Sequence, residues 1–232
     1  MKLGLGSRWA RRLLGVAVVS AAVLGGFAAG GSAQPTCTSS WMGGAGSWND
    51  ASDWSGGIPD SSTSVACIET NGASVTLTGN VSIDALVLGS GVAGTSSTLT
   101  VDASSANAQL SVSSTGASAS TIQPGGSLVL ETQTSGVSAY LEGSGSITND
   151  GSVESEATSL GTANFLQVPV TNASGGELDV LSGTLEDNPG ASAPISNDGG
   201  VSVSDGGTLA LTNSNASFDN AGGTVSNDGT IA

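Results

Sequence analysis

Carboxylates are almost the only side chains in this sequence that could do chemistry. There are 19 Asp and Glu residues, four Lys and Arg, and no His. The four basic residues, Lys2, Arg8, Arg11 and Arg12, all stand at the very start. A serine or cysteine nucleophile needs a neighbouring base, and the rest of the chain offers neither imidazole nor amine. Nucleophilic triads and imidazole-bound zinc are therefore excluded. Paired carboxylates remain, because two acids suffice for glycoside hydrolysis. The pairs at hand are Glu154 with Glu156 and Glu186 with Asp187. Their neighbours place them outward on strands or turns, where a solvated face explains them without catalysis.

Other residue groups could bind rather than react. Asp150, Asp198 and Asp228 each follow an asparagine and could line an acidic edge that attracts Ca2+. The G-G-x-G-x-D-x-U-x calcium repeat is absent, so solubility is the simpler meaning of the acidity, and no cofactor is expected. Cys37 and Cys67 are the two cysteines. Without histidine they make half a zinc site, whereas an exported chain joins such a pair as a disulfide. Closing that loop stabilises by roughly 3–4 kcal/mol in the chain-entropy model. Trp41, Trp48 and Trp54 are spaced seven and six apart on a Gly-rich stretch. Either they cover the open apolar end of a stack of strands, or their ring faces bind pyranose sugars.

The basic residues head an export signal over 1–33. Leu13 to Ala29 is an apolar run, and Gly31-Ser32-Ala33 supplies small residues for cleavage before Gln34. Arg11-Arg12-Leu13-Leu14 allows the twin-arginine route as well as the general secretory one. Removal of the signal leaves an acidic chain without a basic side chain, which cannot neutralise phosphates, so nucleic acid is excluded as a partner. The mature chain has no membrane-spanning run.

The elements that must position these groups are short strands. The hydrophobic fraction is 38% and is patterned, which argues for a folded chain despite the net charge of −15. Aromatic residues are only 3%, so the core is built in thin layers of Val, Leu and Ile. Pairs such as Leu99 with Val101, Leu110 with Val112 and Leu128 with Leu130 sit two apart among Ser and Thr, the mark of half-buried strands. Val81 to Leu88 reads as a longer strand, and Phe165, Leu166, Val168 and Val170 as core. Glu177 and Asp179 alternate with Leu178 and Val180 and face outward. The stretch Ile195 to Leu211 shows the repeat most plainly, with Asn197-Asp198-Gly199 and Asp205-Gly206-Gly207 supplying positive-φ turns.

An apolar residue, a spacer and an asparagine open each repeat: Ile147-Asn149, Val170-Asn172, Ile195-Asn197, Phe218-Asn220 and Val225-Asn227. The first four starts are offset by 23, 25 and 23 residues, and the fifth follows after 7. Three strands of about five residues with turns of about two to four fill such a circuit. Stacked on successive circuits, Asn149, Asn172, Asn197, Asn220 and Asn227 can hydrogen-bond as a ladder.

The segment Trp41-Met42-Gly43-Gly44-Ala45-Gly46-Ser47-Trp48, continuing through Trp54-Ser55-Gly56-Gly57-Ile58-Pro59, follows the pattern W-x-G-G-x-G-x-W-x5-W-S-x-G-x-P. It resembles the opening of bacterial exported β-solenoid surface proteins of the autotransporter-passenger-like, β-strand-repeat kind. The resemblance implies an all-β, right-handed parallel β-helix with an N-terminal Trp-rich cap. An irregular antiparallel β-sandwich is the alternative that short strands at this spacing also allow. The expected organisation is a signal over 1–33, a disulfide-pinned cap over 34–69 and solenoid repeats over 70–232.

The last residues stop inside a repeat, so a truncated chain is expected, whose open end contacts further repeats or another molecule. The functional expectation is a secreted or cell-surface structural or adhesin-like module without catalytic activity. Its partners would be a surface polysaccharide or another cell-surface protein. The alternative is a carbohydrate-binding module or the remnant of a polysaccharide-acting β-helix enzyme.

Overall fold

The computed structural model describes residues 34–92, 94–158, 163–188, 193–212 and 216–232, and the expected signal over 1–33 lies outside them. The strands alternate inward and outward as their sequences demand. Ser97–Ala103 and Gly126–Thr132 each bury every second residue, placing Leu99, Val101, Leu128 and Leu130 inside and Thr98, Thr100, Ser127 and Val129 outside. A strand with one apolar face must lay it against another element. Here it lies against the two other walls of the same coil.

Three sheets result. The first runs through Ser39–Ser40, Val65–Ile68, Ala85–Leu88, Ser120–Ile122, Ile147–Asn149, Val170–Asn172, Ala193–Asn197 and Ala216–Asp219. The second runs through Ala45–Ser47, Ala73–Leu77, Ser97–Ala103, Gly126–Thr132, Ser152–Ala157, Glu177–Val180, Gly200–Val203 and Thr224–Asn227. The third holds Asn80–Ile83, Ala108–Val112, Ala139–Glu142, Ala163–Leu166, Gly183–Asp187, Gly207–Leu211 and Thr230–Ile231. The chain visits the sheets in rotation, so seven circuits carry all three strands and the opening circuit carries only the first two. Neighbouring strands within every sheet pair in parallel. This is a β-solenoid, and the antiparallel sandwich is overturned.

Parallel register puts like residues on top of one another. Val75, Leu99, Leu128, Val153, Leu178 and Val201 form one continuous inward column of the second sheet. Most of them are wholly buried, and with the matching columns of the other sheets they fill a narrow axial core. Aliphatic side chains suit it because each layer is only about 4.8 Å thick.

Several local expectations change. The run Val81 to Leu88 is not one strand: Asn80–Ile83 belongs to the third sheet and Ala85–Leu88 to the first, with the corner at Asp84. Ser114 Oγ donates to Asp84 Oδ1 at 2.6 Å and fixes that corner to the coil above. The stacked strands also begin inside 34–69, since Val65–Ile68 is a full member of the first sheet. At the Asp205-Gly206-Gly207 turn Gly206 does adopt a positive φ, of 83°. Gly199 does not; it is needed for space, because a Cβ there would stand 2.2 Å from the Gly176 carbonyl oxygen.

The register can be tested one residue at a time. Leu130→Ala, an inward truncation, should lower unfolding free energy in urea by about 3 kcal/mol. Val129→Ala, on the outer face beside it, should cost under about 1 kcal/mol. A larger loss from Val129→Ala than from Leu130→Ala would place the strand one residue out of register.

Candidate functional site

The N-terminal end is closed by the three tryptophans. Trp41, Trp48 and Trp54 are 2%, 0% and 3% exposed. Trp54 sits between the other two, its ring centroid 5.1 Å from Trp41 and 4.9 Å from Trp48, in edge-to-face arrangements. Each indole N–H is satisfied: Trp41 Nε1 donates to Gly44 O at 3.1 Å, Trp48 Nε1 to Pro59 O at 3.3 Å and Trp54 Nε1 to Trp48 O at 2.8 Å. An antiparallel bridge joins Trp41 to Trp54. A Cβ on Gly56 would meet Thr38 O at 2.3 Å, so the glycine lets the two backbones touch. Buried rings with saturated N–H groups leave no face for a pyranose, and the sugar platform at these residues is overturned. They are a lid on the axial core.

Cys37 and Cys67 form the expected disulfide, with Cα atoms 5.8 Å apart. Cys67 points outward from the first sheet, where Val65, Ala85 and Val87 make a second small apolar cluster against Cys37. The disulfide therefore straps the first residues of the described chain over the outside of the coil.

Four of the five predicted asparagines form a ladder. Asn149 Nδ2 donates to Asn172 Oδ1, Asn172 Nδ2 to Asn197 Oδ1 and Asn197 Nδ2 to Asn220 Oδ1, each at 2.7 Å. The same amides also donate across the corner to Glu177 O at 2.9 Å, Gly200 O at 2.8 Å and Thr224 O at 3.3 Å. Asn149, Asn172 and Asn197 are wholly buried, so each unpaired amide would be costly. A glycine follows in each corner because the ladder fills the space: a Cβ at Gly176 would lie 2.5 Å from Asn172 Oδ1, and one at Gly223 2.2 Å from Asn197 Nδ2. Asn227 is not in the ladder. It lies in the second sheet opposite Val203 and is exposed, because the offset of 7 carries it past one corner of the same circuit.

The acidic residues singled out from the sequence do not gather at one site, although Glu154 and Glu156 lie in register with Asp179 and Glu131, respectively, on one outer face. Asp150 and Asp198 stand at equivalent corners two coils apart, with Ala173 between them, roughly 10 Å of axial rise. Asp228 follows a strand of the second sheet and is at a different corner. Glu154 and Glu156 lie on the open outer face of the second sheet. Glu186 and Asp187 point to opposite faces of one strand and cannot act on one substrate. Among the described residues the one close set of metal-type donors is Cys37, Cys67 and Glu69, whose sulfurs are bonded to each other.

Two buried polar groups were not anticipated. Asn164 accepts from Thr132 Oγ1 at 2.5 Å and donates to Leu130 O at 2.8 Å and Ser155 Oγ at 3.0 Å, knotting the second and third sheets inside the core. Asp187, expected outside, is wholly buried in register between Leu166 and Leu211, and neither carboxylate oxygen has a hydrogen-bond partner. Desolvation pushes its carboxyl up from 3.8 to about 7. Phe165 also departs from expectation, lying on the outer face and stacking on Tyr140 with centroids 4.8 Å apart and planes 7° off parallel. Leu166, Val168 and Val170 are core, as predicted.

Fold and site together define a lidded three-sheet β-solenoid. No family model, curated protein or solved structure matches the chain. Among the described residues no helix is long and apolar enough to cross a membrane.

Asn172→Ala should lower unfolding free energy by about 2–3 kcal/mol, because it orphans buried partners on both sides. Asn227→Ala should stay within about 0.5 kcal/mol. Similar losses in the two variants would refute the ladder. For Asp187 the folded value exceeds the unfolded one, so its contribution is complete below 3.8 and is lost as pH rises through about 7. Asp187→Asn should thus gain melting temperature relative to the parent between about pH 4 and about pH 8. A pH-independent difference would show that Asp187 is not buried as a carboxylate.

Proposed function

We propose that this chain is an exported, non-catalytic module, a stiff β-solenoid acting as scaffold or adhesin-like spacer at the cell exterior. The observation that carries the reading is the unbroken inward register from the tryptophan lid to the last coil. Inward positions are used mainly for packing and for the asparagine ladder. Of the carboxylates that could have paired for hydrolysis, Glu154 and Glu156 share an open outer face with no enclosing cleft, and Glu186 and Asp187 point to opposite faces of one strand. The outer faces offer Ser, Thr and acids, a surface suited to solvation and to shallow contacts with a surface polysaccharide or another surface protein. A disulfide supports export, because such bonds persist in oxidising compartments. The signal over 1–33 supplies the route, and the resemblance of the Trp-Gly segment to exported solenoid surface proteins agrees with it.

Expression of the full chain in an exporting bacterium tests this. The protein should reach the exterior fraction with Cys37 and Cys67 oxidised, and should release no sugar from a panel of polysaccharides. Cytoplasmic retention would contradict the location. Sugar release that Glu154→Gln abolishes would contradict the non-catalytic assignment.

A further inference from the structure

The strap ahead of the lid carries a side chain held from two sides. Gln34 is exposed, and its Nε2 donates to Glu69 Oε1 at 3.3 Å. Its Oε1 accepts from Gln123 Nε2 at 2.6 Å, a contact that reaches across 89 residues of sequence. Glu69 Oε2 also stands 3.7 Å from the Cys37 sulfur. The disulfide three residues on keeps this end of the chain against the first sheet. An exposed glutamine side chain would ordinarily be free to move. Here the fold supplies an amide donor on its carbonyl oxygen and a carboxylate on its amide nitrogen.

That arrangement matters if Gln34 is the first residue of the exported chain, as the signal reading in the proposed function requires. We propose that Gln34 is then a modification site, closing on itself to a pyroglutamyl lactam on a cradle formed by Gln123 and Glu69. The α-amino nitrogen forms a bond to Cδ, the Cδ–Nε2 bond breaks, and Nε2 leaves as ammonia with the proton that the amine gives up. No oxidant, reductant or co-reactant is needed. An α-amine titrates near about 8, so a useful fraction is neutral and nucleophilic at ordinary pH. The Gln123 donor stabilises the oxyanion that Oε1 becomes as the bond forms. Glu69 holds the departing nitrogen through a charge-assisted hydrogen bond.

The consequence is electrostatic. Every Lys and Arg lies within the first 12 residues and there is no His, so the α-amine of Gln34 would be the sole cation of the exported chain. Lactam closure removes it, leaving an anionic chain with no group that protonates to a positive charge and no free terminus for an aminopeptidase.

Intact-mass and N-terminal peptide mass spectrometry of the secreted full-length product provide the test. A chain beginning at Gln34 and lighter by one ammonia is expected, blocked to Edman degradation. Followed from fresh secretion, Gln123→Ala should close about 2- to 10-fold more slowly, the worth of one hydrogen bond, and Glu69→Gln should also be slowed. Unchanged melting temperatures would show that both variants fold. A chain that starts at Gln34 with its amide and amine intact overturns this proposal while leaving export standing. A product that starts elsewhere overturns it together with the signal reading. Closure at the parental rate in both variants overturns the cradle.

Discussion

The whole structure depends on parallel register between successive coils. Each backbone hydrogen bond made along the axis fixes which residue lies above which. With a side-chain period of two, a slip of one residue would turn every inward Leu and Val to the outside. The chain contains few aromatics, so no single large side chain can anchor the core. Columns of aliphatic residues do so instead, each small in itself and strong through repetition. The opening end is the exception: there three tryptophans supply in one place the bulk needed to seal the axis.

Polar groups are admitted to the interior only where register supplies partners. In the first sheet, one column passes upward from Ile68 through Leu88 and Ile122 before turning into Asn149, Asn172 and Asn197. The change from aliphatic to amide comes where the corners become uniform. From Asn149 onward the coils differ by 23 or 25 residues, so each amide finds its neighbour. Earlier coils are irregular: the same column passes from Ile68 to Leu88 to Ile122 with unequal spacing in sequence, and in the neighbouring column the Leu86 N–H donates to Ser120 Oγ. A ladder needs each amide directly above the last at the same corner, and hydrophobic contact does not. Asp187 breaks the rule, and burial without a donor is why its proton is held so firmly.

Much of this was legible in the sequence, for identifiable reasons. The spacing of Asn149, Asn172, Asn197 and Asn220 revealed the coil length, and alternation around Leu128 and Leu178 revealed the inward face. Asn227 misled because the motif apolar-x-Asn is short enough to recur at a second corner. Asp84 hid a corner inside an apolar run, since Asn80–Ile83 and Ala85–Leu88 are both strand-like and the turn between them is a single residue. Asp187 and Asn164 were misjudged or missed by residue type, although Asp187 shares the parity of Leu185 and Asn164 that of Leu166. The reverse holds for Phe165, whose hydrophobicity suggested core while its parity placed it outside. The tryptophans could be read as lid or platform from sequence, because spacing says nothing about which face of a ring is covered.

The most direct measurement is an electron-spin distance across the stack. Labels on cysteines introduced at Thr100 and Ser202 would sit on one outward column, linked through Val129, Glu154 and Asp179. Four axial steps give a separation of about 19 Å between the backbone positions. A narrow distribution near that value, allowing for label length, is predicted. A broad distribution, or one centred well beyond about 30 Å, would contradict the parallel coil on which everything else rests.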